Sequence, residues 1–202
     1  VERNTLLQQA SGLARHAVEL EPADAWSQSS LAWCEFAGGN YEEAFRLSSR
    51  ATQLDPNDGH VLDFHGAIAL FSGHFAEALA TADRKFVRGG SNQRFANRNI
   101  YAAASFHLGN YTDTIAGFEE ATSFGDPISA PALAYHAAAL NALGRRQKAL
   151  RKLEEMARAW PDAPVETILR SIHGKSENAN AVLSELFDMG WTQAELKLGS
   201  GD

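Results

Sequence analysis

Seven histidines and a single cysteine are the side chains best suited to chemistry in this 202-residue chain. A metal site needs ligands at a fixed spacing on one face, and the histidines do not offer it. His60 and His65 lie five apart, about 140° around a helix, so they cannot share one ion unaided. No HExxH, cysteine pair or carboxylate–histidine doublet at ligand spacing occurs. Cys34, alone, excludes an internal disulfide and a cysteine-based zinc site, and its apolar neighbours suggest an inert packed thiol. Nucleophile elbows, Walker A loops and GxGxxG fingerprints after a strand are absent as well. Gly89-Gly90-Ser91-Asn92 has the composition of a phosphate loop, but no strand precedes it and it falls at an expected helix-to-helix turn. No nucleophile, base and oxyanion donor can be assembled from these spacings, so the chain reads as non-catalytic, with no cofactor and no metal.

Charge narrows the partners. Arg84, Lys85, Arg88, Arg94 and Arg98 form a dense basic group with few acids nearby, a candidate patch for an anionic partner. Arg145, Arg146, Lys148, Arg151 and Lys152 lie on a turn and an amphipathic helix; balanced by Glu154 and Glu155, they read as a solvated face. The net charge of −7 argues against a general nucleic-acid binder. No apolar run approaches the ~18 residues of a membrane span. With 45% hydrophobic and 21% charged residues the chain has an ordinary globular balance.

Helices must position these groups, because 35 alanines stand against 12 valines and isoleucines together. The helices come in a repeat. Gly39-Asn40-Tyr41-Glu42-Glu43-Ala44 recurs as Gly73-His74-Phe75-Ala76-Glu77-Ala78, then as Gly109-Asn110-Tyr111-Thr112-Asp113-Thr114 and Gly144-Arg145-Arg146-Gln147-Lys148-Ala149. The glycines are 34, 36 and 35 residues apart. Each sits between stretches of helical periodicity, where a residue tolerant of positive φ ends the first helix. The aromatic two residues later can pack over the corner, and the small residue three further on lets two helices approach. Pro56 and Pro161 then stop the second helix. Pro22 and Pro56, 34 apart, each close a Leu-acid-Pro tripeptide.

This pattern resembles the tetratricopeptide repeat (TPR), a helix-turn-helix unit of 34 residues. The best copy, 25–58, matches through Leu31, Ala32, Gly39, Tyr41, Ala44, Ala51, Leu54 and Pro56. Copies at 59–94, 95–129 and 130–163 depart at Lys85, Thr114 and Arg146. The resemblance implies an all-α, right-handed α-solenoid of about eleven helices over residues 1–190, with a partial copy at 5–24. Two capping helices are expected at 164–190, carrying Val165, Ile168, Leu169 and Ile172, then Val182, Leu183, Leu186 and Phe187. Residues 191–202 are expected to be a tail. The chain opens inside a broken copy without an initiator methionine, so it is expected to be a piece of a longer bacterial protein, cytoplasmic by placement.

In TPR proteins the first helices of the copies line a concave groove that takes a partner segment. Carried over position by position, the groove residues are Trp26, Ser29, Trp33, Phe36, His60, Asp63, Phe71, Asn99, Phe106 and His107. An aromatic, apolar groove suits a peptide or helix. The competing reading is that a second copy of the chain, or its own broken first helix, fills it. The chaperone-tail clamp of some TPR proteins is not implied, because Trp26, Ser29, Ser30, Trp33 and Asp63 supply no positive charge for a carboxylate. His65, Tyr101 and His136 take equivalent slots, either as a hydrogen-bonded polar column or as a pH-sensing or metal-binding one. The functional expectation is a protein-interaction scaffold, with no nucleic acid or membrane bound by this domain. The alternative is the regulatory domain of a bacterial transcription regulator or nucleotide cyclase. Gly125-Asp126-Pro127-Ile128-Ser129-Ala130-Pro131-Ala132-Leu133 followed by Leu143-Gly144-Arg145 resembles repeats of such regulators.

Overall fold

Residues 2–83, 97–163 and 177–188 are described by a computed structural model, and every regular element among them is a helix. In chain order these are α1 (Glu2–Leu20), α2 (Ala25–Ala37), α3 (Tyr41–Leu54), α4 (Gly59–Phe71) and α5 (Phe75–Asp83). They continue as α6 (Asn97–His107), α7 (Tyr111–Ser123), α8 (Ala130–Ala142), α9 (Arg146–Ala159) and α10 (Glu177–Asp188). The fold is all-α, ten helices among the described residues, arranged as sequential antiparallel pairs. The stretch 164–176, which includes the first expected capping helix, and the tail 191–202 lie outside the described residues.

Local chemistry starts and stops the helices. The Asp24 carboxylate accepts from the Ser27 amide at 2.7 Å, and Asp58 accepts from His60 and Val61 at 2.8 and 2.9 Å. Each thereby satisfies amides that the first helical turn leaves without a partner. The four repeat glycines all have positive φ: Gly39 85°, Gly73 85°, Gly109 80° and Gly144 72°. In every case the next amide reaches back five residues, as from Asn40 to the Glu35 carbonyl at 2.9 Å. That closure needs a left-handed residue, which glycine adopts without a Cβ clash. Helices α3, α5, α7 and α9 then begin two residues past the glycine. Over two of the corners the aromatics meet, Phe36 with Tyr41 at 5.7 Å and Phe106 with Tyr111 at 5.6 Å.

The small repeat positions Ala44, Ala78, Thr114 and Ala149 are all buried. Threonine fits among the alanines because its hydroxyl donates to the Asn110 carbonyl one turn back, at 3.1 Å. The described helices fall into two compact units that divide between Asn97 and Arg98. In the first, α2 packs on α1, α3 and α4, and α4 also on α3 and α5. Its core holds Ala14, Leu31, Ala32, Ala44, Leu47 and Ile68, with the Cys34 side chain half-buried against it. In the second, α8 packs on α7, α9 and α10, and the run Ala132–Leu140 is buried throughout. Ala179, Leu183 and Leu186 are the buried side of α10.

Candidate functional site

The aromatic residues of α2 and α4 form a partly exposed cluster on the first unit. Trp33 stacks on Phe64 (centroids 4.8 Å, 24° between planes) and meets Phe36 at 5.1 Å. Phe36 in turn touches Phe71 at 5.5 Å. Near the start of the same two helices Trp26 meets His60 at 5.2 Å. Trp33 remains 39% exposed and Trp26 47%, large for apolar side chains at the centre of a ring cluster. Spacing explains the arrangement. Trp26 and Trp33, like Phe64 and Phe71, are seven apart, two turns of helix, so each pair shares a face. Phe64 is absent from the sequence-derived groove, although its seven-residue relation to Phe71 marked it.

Other groove candidates sit elsewhere. Ser29 is buried, so it presents nothing to a partner. In the second unit Phe106 is wholly enclosed, 4.9 Å from Tyr135, and His107 shares a 2.9 Å hydrogen bond with the Tyr135 hydroxyl. Burial pushes that tyrosine's pKa up, so the hydroxyl stays neutral. The Asn99 amide donates to the Pro127 carbonyl at 3.0 Å and is engaged within its own unit. These residues occupy family groove positions, but here they are buried or hydrogen-bonded within their own unit. Asp63 is partly exposed on α4.

Of the basic group, Arg98 alone is among the described residues. Arg84, Lys85, Arg88 and Arg94 lie outside the described residues. Arg98 is not available to an external anion. Its guanidinium pairs with Asp126 at 3.1 Å and Glu120 at 3.5 Å, and lies 4.1 Å over the Phe124 ring.

The histidine slots also become concrete. His65 is buried, sharing a 2.9 Å hydrogen bond with Ser48 and lying 3.4 Å from Glu77. This links α3, α4 and α5 through one imidazole. His136 is buried against Phe118, rings 5.9 Å apart. Burial, followed by the positive charge of Lys152, pulls its pKa down to about 4. Tyr101 is half-buried beside Gly117. Among the described residues, no group of three or more histidine, cysteine or carboxylate side chains could hold a metal, and no helix is long and apolar enough to cross a membrane. At the first helix pair, the Arg15 guanidinium (2.8 Å) and the Asn40 amide (2.6 Å) hold the Glu35 carboxylate below its usual pKa.

Helix pairs closed by a left-handed glycine, with small residues at the crossings and an aromatic face, define a TPR-like helical-repeat protein. Solved structures share that fold. PilW, described as a widely conserved type IV pilus biogenesis factor, is 19% identical with a TM-score of 0.65, over 83% of this chain and 77% of its own. YrrB, described as a TPR protein with an unusual peptide-binding site, is 18% identical with a TM-score of 0.61, over 86% of each chain. MamA of AMB-1 is 17% identical with a TM-score of 0.61, over 77% of this chain and 90% of its own. Among curated proteins none matches. The sequence model of one family, the bacterial transcriptional activator domain, matches residues 40–162, more than half of the chain. The chain therefore belongs to the bacterial transcriptional activator domain family. TPR-like domains of this kind are non-catalytic modules.

Proposed function

We propose that this chain is the regulatory TPR-like domain of a bacterial transcriptional activator, and that it acts by holding a protein segment rather than DNA. The family match over residues 40–162 carries this reading. It favours the transcription regulator over the nucleotide cyclase and over a free-standing scaffold. A net charge of −7 supports a protein partner, since DNA affinity depends on neutralising phosphates. Work beside a promoter also places the protein in the bacterial cytoplasm.

The aromatic face of α2 and α4 is the surface proposed for that segment. Trp33 and Trp26 offer wide, half-exposed apolar area for it. Such aromatic anchors commonly cost about 2 kcal/mol or more of binding when truncated. Reporter transcription driven by the full activator, paired with thermal unfolding of this domain, tests both parts. Trp33→Ala is expected to lower activation at least tenfold while the melting temperature moves little; Glu154→Gln, an exposed change on α9, should leave both unchanged. A sharp fall in melting temperature with normal activation would make Trp33 a core residue and end the docking assignment. Promoter binding by the isolated domain, seen as a mobility shift at moderate salt, would overturn the protein-segment reading.

A further inference from the structure

We propose that the cavity between α7, α8 and α9 binds a compact organic oxyanion, a small metabolite with a phosphate or carboxylate group on a short carbon body. The cavity has a volume of about 280 Å³, at the small end for ligand pockets. Lys148, Arg151 and Lys152 of α9 line it, opposite Glu119 and Thr122 of α7, with His136 and Leu140 of α8 between them.

Two observations point to an anion. Lys148 and Arg151 have no ion-pair partner among the described residues, whereas Lys152 is held by Glu155 at 2.8 Å. Even with Glu119 and Glu155 counted against them, the three cations leave the surroundings positive. His136 is 4% exposed, lines the cavity and makes no hydrogen bond to any described residue. Its ring nitrogens are not among the fully buried atoms left without a partner, so solvent reaches them, and a ligand oxygen in the cavity would accept from the ring N–H. The Thr122 hydroxyl donates to the Phe118 carbonyl at 2.8 Å, so it has no proton to offer an anion. Leu140 contributes an apolar wall, which suits a short carbon body better than a bare inorganic ion. The cavity lies wholly within the second unit, whereas the aromatic face belongs to the first.

Titration of the full chain at low ionic strength tests this, with inorganic phosphate and succinate as probes and chloride as control. Either probe should bind saturably at one site, shift the His136 ring resonances and raise the His136 pKa. Response to phosphate alone identifies a phosphate ester as the ligand class, and response to succinate alone a carboxylate. The Lys148→Gln/Arg151→Gln variant should bind at least tenfold more weakly with an unchanged helical circular-dichroism signal, since both side chains are exposed. If neither probe moves His136 beyond the chloride control, or the double variant binds as the parent does, the assignment is wrong.

Discussion

A buried histidine converts its surroundings into a pH dependence. His136 has a folded pKa of about 4 against an ordinary 6.5, because burial and Lys152 disfavour the charged ring, with Glu155 opposing weakly. Glu119, Lys148 and Arg151 complete the charges around it. Between those two values the unfolded chain binds a proton that the folded chain refuses, so stability falls as pH drops from 6.5 towards 4. The full shift corresponds to about 3 kcal/mol. Urea unfolding at pH 7.5 and pH 4.5 should show this loss, and His136→Asn should remove most of the difference between the two. A parent chain that gained stability on acidification would mean that the imidazole is charged when folded. Glu35 behaves in the opposite sense: its carboxylate, held low by Arg15 and Asn40, stabilises above its unfolded pKa and loses that contribution as pH falls through the folded one.

Between helices, closeness of approach decides what each position tolerates. At Gly117 a Cβ would stand 2.9 Å from the Ala102 Cβ and 3.3 Å from its Cα, so α6 and α7 touch there through a glycine and an alanine. Gly117→Leu should therefore cost roughly 1–3 kcal/mol through overpacking, despite leucine's better helix propensity. Chemical denaturation measures it, and an unchanged midpoint would show that α6 and α7 are free to part. Helix α1 offers the contrast. Leu6, Leu13 and Leu20, at seven-residue intervals, are 59%, 74% and 70% exposed, while Ala14 faces the core. Leu13→Gln should leave stability within about 0.5 kcal/mol.

Across the whole molecule, stability in a helical-repeat chain is a sum of elements and nearest-neighbour contacts. Damage to one helix should spread first to the helices packed against it. Helix α5 packs on α4, and α4 on α2 and α3. Ala78→Pro removes the hydrogen bond from the Ala78 amide to the His74 carbonyl at the start of α5 and sets a ring at a fully buried crossing, for a cost of ~3 kcal/mol or more. Far-UV circular dichroism should lose part, not all, of the helical signal. Complete loss of helix would show that the chain unfolds as one cooperative block.

The repeat itself was legible in the sequence because each turn is a local problem. Positive φ at Gly39, Gly73, Gly109 and Gly144, the carboxylate caps and the proline stops depend on residues within about five positions, and so do helix class and boundaries. Burial is not local. Phe36 and Phe106 occupy the same place in their copies, yet Phe36 stays half-buried among Trp33 and Phe71 while Phe106 is enclosed by Tyr111 and Tyr135. Arg98 reads as a free cation along the chain, but Glu120 and Asp126 reach it from 22 and 28 residues away. The cavity beside His136 is likewise assembled from three helices, none of which carries a motif for it. Tertiary packing alone decided which aromatics face solvent, which charges are spent inside the fold and where a cavity opens, because each of those depends on side chains that meet only when distant helices dock.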